Sequence, residues 1–270
     1  MSVGLKKMNS RTSSFSPAEK TGCLAIIVAA FLFAFNPLIA ILPLAAFVLL
    51  CGIAPFFPRS SFFLPVISHG ANGTTAVALT FDDGPSPDST PDLLRLLAKH
   101  QLQATFFVIG EKAAAHPELI KKIMAEGHTI GNHSFRHDNL LMLRSYRQLK
   151  DDIKATQDVL AELGVKPLIF RPPVGITNPK LKGVLEELGL TAVNFSCRIF
   201  DMGNRRIKGL AARVMARLQP GDIILLHDLY PGQDGLYQYW LDEIDQLFAR
   251  LKGEYKVISL LEIIKCNNAG

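Results

Sequence analysis

The sequence predicts an α/β domain, either an α/β barrel or an open doubly wound sheet, behind an apolar N-terminal segment. Three observations carry this. Short apolar or β-rich runs alternate with helical runs from Ala76 to the C-terminus, about seven units in all, which implies a mostly parallel sheet covered by helices. The 38 residues from 21 to 58 contain no charged side chain. Aspartate, histidine and arginine recur just beyond the ends of the expected strands, which is the face where α/β barrels build their active sites.

The chain has 270 residues and a net charge of +5. Lys6, Lys7, Arg11 and Lys20 oppose only Glu19 before the apolar stretch, leaving 25 basic and 23 acidic residues for the remainder. The pI near 9.0 therefore describes no basic domain, and no nucleic-acid footprint is expected. Cys23, Cys51, Cys197 and Cys266 are too scattered for a disulfide framework. Residues 1–20 read as a basic polar tail and 59–75 as a linker. No protein partner can be read from the sequence.

As one helix the stretch 21–58 would extend about 57 Å, too long for one span of about 20 residues and marginal for two. Asn36-Pro37 and Pro43 interrupt it, so a break near Asn36 is expected. A cleaved signal peptide fits poorly, because the apolar run continues far beyond an ordinary signal core. The expectation is a membrane anchor, one span or a short hairpin, in a bacterial cytoplasmic membrane with the following domain outside.

Ala76–Phe81 is an apolar run ending in Asp82-Asp83-Gly84-Pro85. Thr90-Pro91 opens a helix to about His100, proline suiting the first turn. Ala104–Ile109 is a strand closed by Gly110, and Pro117 opens a helix ending near Gly127. His128–Gly131 is strand-like. Ser145–Leu163 is an amphipathic helix stopped by Gly164, a favourable residue just past a helix end. Leu168–Phe170 is a strand before Arg171-Pro172-Pro173. Asn178–Leu188 is a helix, Thr191–Ser196 a strand and Lys208–Leu218 a helix. Asp222–Leu226 reads as a buried parallel strand. Tyr237–Leu251 is a helix and Lys256–Leu260 a last strand, closing a domain over 76–265.

The chemistry sorts onto the strand ends. Asp82 and Asp83 follow the first strand, His133 and His137 the third, Arg171 the fourth, Asp201 the fifth, and His227-Asp228 end the sixth. His133 and His137 stand four residues apart, a spacing that on one helical turn would point both imidazoles the same way. Two histidines, one carboxylate and an open position make the pattern of a catalytic zinc site. Consecutive side chains of an extended segment point oppositely, so one of Asp82 and Asp83 can meet a metal while the other faces water. His69, His100, His116 and His128 read as surface or helix-end residues.

Four segments in order carry a family likeness: Thr80-Phe81-Asp82-Asp83-Gly84-Pro85, His133-Ser134-Phe135-Arg136-His137, Arg171-Pro172-Pro173-Val174-Gly175 and Leu225-Leu226-His227-Asp228. Together they resemble the polysaccharide deacetylases with the NodB homology domain, carbohydrate esterase family 4. The resemblance covers about Val77 to Ile264 and implies a distorted (β/α) barrel that removes N-acetyl groups from N-acetylglucosamine units of a glycan. It implies a divalent metal, usually zinc, on Asp83, His133 and His137. It further implies Asp82 as general base, Arg171 orienting Asp82, His227 as general acid and Asp201 orienting His227. Leu225 resembles the residue that packs on the acetyl methyl, and the Val174 backbone N–H the donor to the oxyanion. The segment around Asp201 departs from the pattern, because no tryptophan follows it; Trp240 lies far along a helix.

Other readings remain open on the sequence. One is a deacylase or deformylase of a lipid-linked sugar, or another hydrolase of non-peptide C–N bonds, on the same scaffold. A second is a membrane module with a vestigial site, against which the complete residue set argues. A zinc peptidase lacks its H-E-x-x-H signature.

Overall fold

A computed structural model describes residues 15–232 and 234–269, so the basic tail up to residue 14 lies outside the described residues. The chain starts with two helices, α1 (Pro17–Phe33) and α2 (Ile41–Ile53). Ser16 caps α1: its hydroxyl accepts from the Glu19 N–H while the Glu19 carboxylate accepts from the Ser16 N–H, satisfying two end donors at once. The break falls at residues 34–40, around Asn36-Pro37 as the sequence requires. Small residues at Ala18, Gly22, Ala25 and Ala29 form the buried stripe of α1. A Cβ on Gly22 would stand 2.9 Å from the Phe47 ring, which shows how closely the helices approach.

The expected transmembrane anchor is not a spanning helix. The break leaves helices of 17 and 13 residues, about 26 and 20 Å long against a hydrocarbon core of about 30 Å. No helix among the described residues is long and apolar enough to cross a membrane. Residues 59–75 pack rather than merely link: Phe62, Phe63 and Leu64 are buried with Ala18 and Ala54, and Ile67 bridges Val193.

The α/β domain alternates β1 (Ala78–Gly84), α3 (Thr90–His100), β2 (Thr105–Val108), α4 (Gly110–Ala115), α5 (Pro117–Ala125), β3 (Thr129–Asn132), α6 (Tyr146–Glu162), β4 (Ile169–Phe170), α7 (Pro179–Leu188), β5 (Thr191–Ala192), β6 (Cys197–Arg198), α8 (Leu210–Met215), β7 (Ile223–His227), α9 (Asp234–Glu254) and α10 (Leu260–Ala269). All strand pairs are parallel, in the order β5-β4-β3-β2-β1-β7-β6. The edge strands β5 and β6 are consecutive in the chain and joined by residues 193–196 alone. Five Cα steps reach about 18 Å, whereas the edges of a flat seven-stranded sheet lie about 29 Å apart. The sheet must therefore curl, and it forms a half-barrel wrapped by helices, the (β/α) barrel expected.

Strand alternation sorts the core. Leu79, Phe81, Ile224 and Leu226 face the helices and pack with Leu93, Leu97, Ile244 and Phe248 of α3 and α9. Ala78, Ile223, Phe107 and Ile169 face inwards and pack with Leu260, Ile263 and Ile264. Ala78 and Ile223 begin their strands, so α10 closes the barrel at the end opposite the site. The last strand expected at Lys256–Leu260 is reduced to one bridge, Val77 to Val257. Ser259 and Glu262 then exchange capping hydrogen bonds, which start a helix instead.

Candidate active site

At the C-terminal ends of the strands the backbone departs from regular geometry. Of the seven non-glycine residues with positive φ among the described residues, six lie at these strand ends or in the loops after them: Asp83, Ser134, His137, Val174, Met202 and Asn204. Such conformations cost of order 1 kcal/mol or more each and gather at functional sites. At Asp83 the pairing register of β1 shifts between Asp82 and Gly84. This bulge breaks the simple alternation, so both carboxylates reach the same site: the His133 Nε2 is 3.8 Å from Asp82 Oδ2 and 3.4 Å from Asp83 Oδ1.

His133 and His137 do not share a helical turn as their spacing allowed. Residues 133–138 form a loop, in which the Ser134 hydroxyl accepts from the His137 N–H at 3.1 Å. Asn132 fixes its start, donating to the Ile153 carbonyl and accepting from the Ser134 N–H. The His137 Nε2 comes to 3.1 Å from Asp83 Oδ1. One donor atom from each of Asp83, His133 and His137 lies within 4.8 Å of the others.

The donor set fits a divalent cation. Asp83 Oδ1 is buried without a hydrogen-bond partner, which is costly for an acceptor unless a cation takes it. His133 Nδ1 lies 2.8 Å from the Arg171 carbonyl; donating there fixes the tautomer and leaves the Nε2 lone pair facing the cluster. Burial pushes the Asp83 carboxyl up, but the imidazoles of His133 and His137 close beside it hold it well below the usual carboxylate range. Burial pushes His137 below the usual imidazole value. It also pushes His133 down, yet Asp82 and Asp83 pull that imidazole above its usual value, so a proton and a cation compete for the same nitrogen.

Arg171 is fully buried, stacked on the Phe107 ring at 4.0 Å. Its Nη1 donates to Asp82 Oδ1 at 2.6 Å and to the Thr80 hydroxyl at 2.8 Å, and its Nη2 to the Asn194 carbonyl at 3.1 Å. Asp82 pairs in register with His227 on β7. His227 Nδ1 lies 2.8 Å from Asp201 Oδ2, so the opposite nitrogen, Nε2, is left for substrate. Burial pushes His227 down, and the bond and charge of Asp201 outweigh it, raising the imidazole above its usual value. Leu225 pairs with Thr80 two register steps below His227, on the same inward face, and is buried. Val174 holds φ 52°, rare for a β-branched residue, in the tight turn Pro173–Gly175.

The structure thus gathers Asp82, Asp83, His133, His137, Arg171, Asp201 and His227. Trp240 is fully buried in the helix-side core and takes no part; the exposed aromatic beside Asp201 is Phe200. Sequence reasoning missed three supports. Lys112 Nζ donates to the Asp83 carbonyl at 2.7 Å. Thr80 and Asn194 complete the cage of Arg171. Asp228 accepts from the Ser89 and Thr90 hydroxyls at 2.6 Å each, and any Cβ on Gly84 would collide with it. Only the position of Asp228, directly after His227, signalled it.

A carboxylate gripped by an arginine and an imidazole gripped by a carboxylate, beside a three-ligand cation site, define a hydrolase working by acid–base catalysis. Comparison with known proteins gives the family. The family described as polysaccharide deacetylase matches residues 69–193. A chitooligosaccharide deacetylase of Bradyrhizobium is 36% identical over 175 residues, 63% of this chain and 80% of that protein. A peptidoglycan-N-acetylglucosamine deacetylase of Bacillus cereus is 36% identical over 185 residues, 68% of this chain and 66% of that one. The solved peptidoglycan deacetylase PdaC of Bacillus subtilis superposes with a TM-score of 0.64 at 29% identity, over 73% of this chain and 93% of that one. The chain belongs to the polysaccharide deacetylase family.

Proposed function

We propose that the protein hydrolyses the N-acetyl groups of N-acetylglucosamine units in a glycan, giving acetate and a free amino sugar. The observation that carries the reading is the pair of held groups, Asp82 on Arg171 and His227 on Asp201, around the Asp83, His133 and His137 cluster. The names of the relatives, which act on chitooligosaccharide and peptidoglycan, support the substrate class.

A divalent ion on Asp83, His133 and His137, zinc in our reading, would polarise the amide carbonyl and acidify water towards a pKa of about 7. Asp82 accepts the proton of the attacking water; the buried guanidinium, bonded to its Oδ1, keeps the carboxylate aimed. The Val174 N–H donates to the oxyanion as it develops, a contact of the kind worth about 10²–10³ in rate. His227 gives the Nε2 proton to the departing nitrogen, because a free amide anion is too poor a leaving group. Asp201 holds Nδ1–H, fixing the tautomer for that transfer. Leu225 lies beneath, where the acetyl methyl would rest. Incubation with N-acetylglucosamine oligomers and with peptidoglycan should release acetate; release of formate or a longer acyl group instead would favour the other amide hydrolases of this scaffold.

The apolar hairpin supports a second element of the reading, that the enzyme works at a lipid surface, on the outer side of a bacterial membrane where wall glycans lie. Leu24, Ile27, Phe31, Phe35, Leu38, Leu42 and Leu49 are each at least 60% exposed. They lie on the sides of α1 and α2 turned away from their packed seam and on the turn between them, and no residue of α2 is fully buried. A surrounding solvent of lipid satisfies such a hairpin without a crossing helix. Flotation with phospholipid vesicles tests it: Leu24→Ser/Ile27→Ser/Phe31→Ser should leave the vesicles, and equal flotation of both proteins would contradict it.

A further inference from the structure

Beside the catalytic acid lies a cavity of about 440 Å³ lined by Ile199, Phe200, Arg206, Lys208, Arg213 and Arg217. Its cations belong to one stretch of chain. Between residues 198 and 217 stand six basic side chains, Arg198 and Arg205 being the other two, and one carboxylate, Asp201. That carboxylate is turned inwards and held on His227. The segment alone carries as much net charge as the whole chain, a concentration that the near-even balance after residue 20 conceals.

Among the described residues no carboxylate makes an ion pair with any of the six. Arg213 is half-buried, and its Nε is enclosed without a hydrogen-bond partner, although its Nη2 donates to the Arg206 carbonyl. A buried guanidinium donor left unpaired is costly, and a bound oxyanion would satisfy it. Arg198 is propped between the rings of Phe195 and Phe200, 5.5 and 5.8 Å from their centroids. A solvated surface face would spread its charges and pair them with carboxylates. Here like charges are held together around a concavity, at a cost that an anion would relieve.

The cavity and the catalytic centre share a wall. The Asp201 N–H donates to the Ile199 carbonyl at 3.0 Å and the Arg206 N–H to the Asp201 carbonyl at 2.8 Å. Asn204, between them, donates to the His227 carbonyl at 3.0 Å. One loop thus turns Asp201 and Asn204 towards the general acid and Phe200, Arg206 and Lys208 towards the cavity. A glycan lying across the loop would present one unit to His227 and another to the cations.

We infer that this pocket binds a phosphate ester or pyrophosphate carried by the glycan substrate, so that the enzyme acts on an anionic glycan rather than a neutral one. This deepens the deacetylase reading and rests on it. Arginine forks match phosphate oxygens in pairs, and four cations exceed what one carboxylate needs.

The full chain, loaded with its metal, is assayed on an N-acetylglucosamine oligomer, on the same oligomer bearing a terminal phosphate, and on a polyprenyl-pyrophosphate-linked sugar. Calorimetric titration with inorganic pyrophosphate runs in parallel. Arg206→Gln/Lys208→Gln removes two exposed cations with no structural partner, and Arg213→Gln is the second variant. The wild type should favour an anionic substrate about tenfold or more in kcat/KM, the size expected of charge-assisted contacts. The double variant should lose that preference while keeping its rate on the neutral oligomer within about twofold. A preference for both anionic substrates assigns the anion alone; one confined to the lipid-linked sugar assigns a lipid-borne pyrophosphate. Equal rates on neutral and anionic substrates, unchanged by the variants, overturn the inference. Pyrophosphate binding that the variants abolish, without deacetylation of any substrate, upholds the pocket and fails the deacetylase reading instead.

Discussion

Arg171 Nη1 stands 2.6 Å from Asp82 Oδ1, with the guanidinium wholly enclosed. The pair links two strands that are not neighbours in the sheet, β1 and the end of β4. It therefore ties catalysis to the curl of the barrel. Breaking one partner of a buried ion pair strands the other, at about 3–5 kcal/mol. Arg171→Met should lower stability by that order in denaturant unfolding. Arg171→Lys keeps the charge but loses the fork that also reaches Thr80 and Asn194, so kcat should fall while most of the stability remains. Equal kcat for Arg171→Lys and wild type would contradict the orienting role.

Removing the proton-transfer groups should stop turnover without emptying the metal site. Asp82→Asn and His227→Ala should each lower kcat by about 10²–10⁴. Metal content by elemental analysis should stay near wild type in both. A rate within about twofold of wild type, for groups of that usual worth, removes the residue from the mechanism.

The metal should report itself through stability as well as activity. A ligand present at about a hundred times its Kd stabilises by about 2.7 kcal/mol. Chelation should lower Tm and abolish acetate release, and zinc should restore both. His133→Ala should be insensitive to zinc in the melt. A full equivalent of metal retained by that variant would contradict the ligand assignment.

The His227–Asp201 bond sets the alkaline limit. Asp201 raises the imidazole above its usual value, and the acid acts only while protonated, so activity falls as pH rises through that raised pKa. Asp201→Asn should shift the alkaline limb of kcat to lower pH. The same raised pKa adds stability that is fully present below the unfolded-state value near 6.5 and is lost as pH rises through the folded one. An unmoved alkaline limb in Asp201→Asn would contradict the pairing.

Much of this site was legible because its residues sit where parallel strands must end. Asp82, Asp83, Arg171 and His227 follow short apolar runs; the alternation of such runs with helices announced a mostly parallel α/β sheet, and the family resemblance chose a barrel over an open sheet. What escaped was set by tertiary detail. The bulge that turns Asp83 beside Asp82 depends on a positive φ that an aspartate does not advertise. The histidine pair converges through a loop tied by Asn132 and Ser134, although its spacing equally suited a helix. Lys256–Leu260 is β-rich, yet the capping exchange of Ser259 with Glu262 starts α10 and closes the barrel floor. The apolar stretch announced its break at Asn36-Pro37, but the shortness of the two resulting helices follows from the turn it takes to reverse them. Residues 198–217 concealed a charged cavity because only folding brings α8 against the loop after β6.

The central claim is that Asp82, positioned by Arg171, drives hydrolysis of an N-acetyl amide. The direct measurement is parallel counting of acetate and new primary amines from a defined N-acetylglucosamine oligomer, with metal-loaded wild type and metal-loaded Asp82→Asn. The account predicts acetate and amine in equal amounts from the wild type and almost none from the variant. Folded, metal-loaded wild type that yields neither product, or a variant that yields both at the wild-type rate, would contradict it.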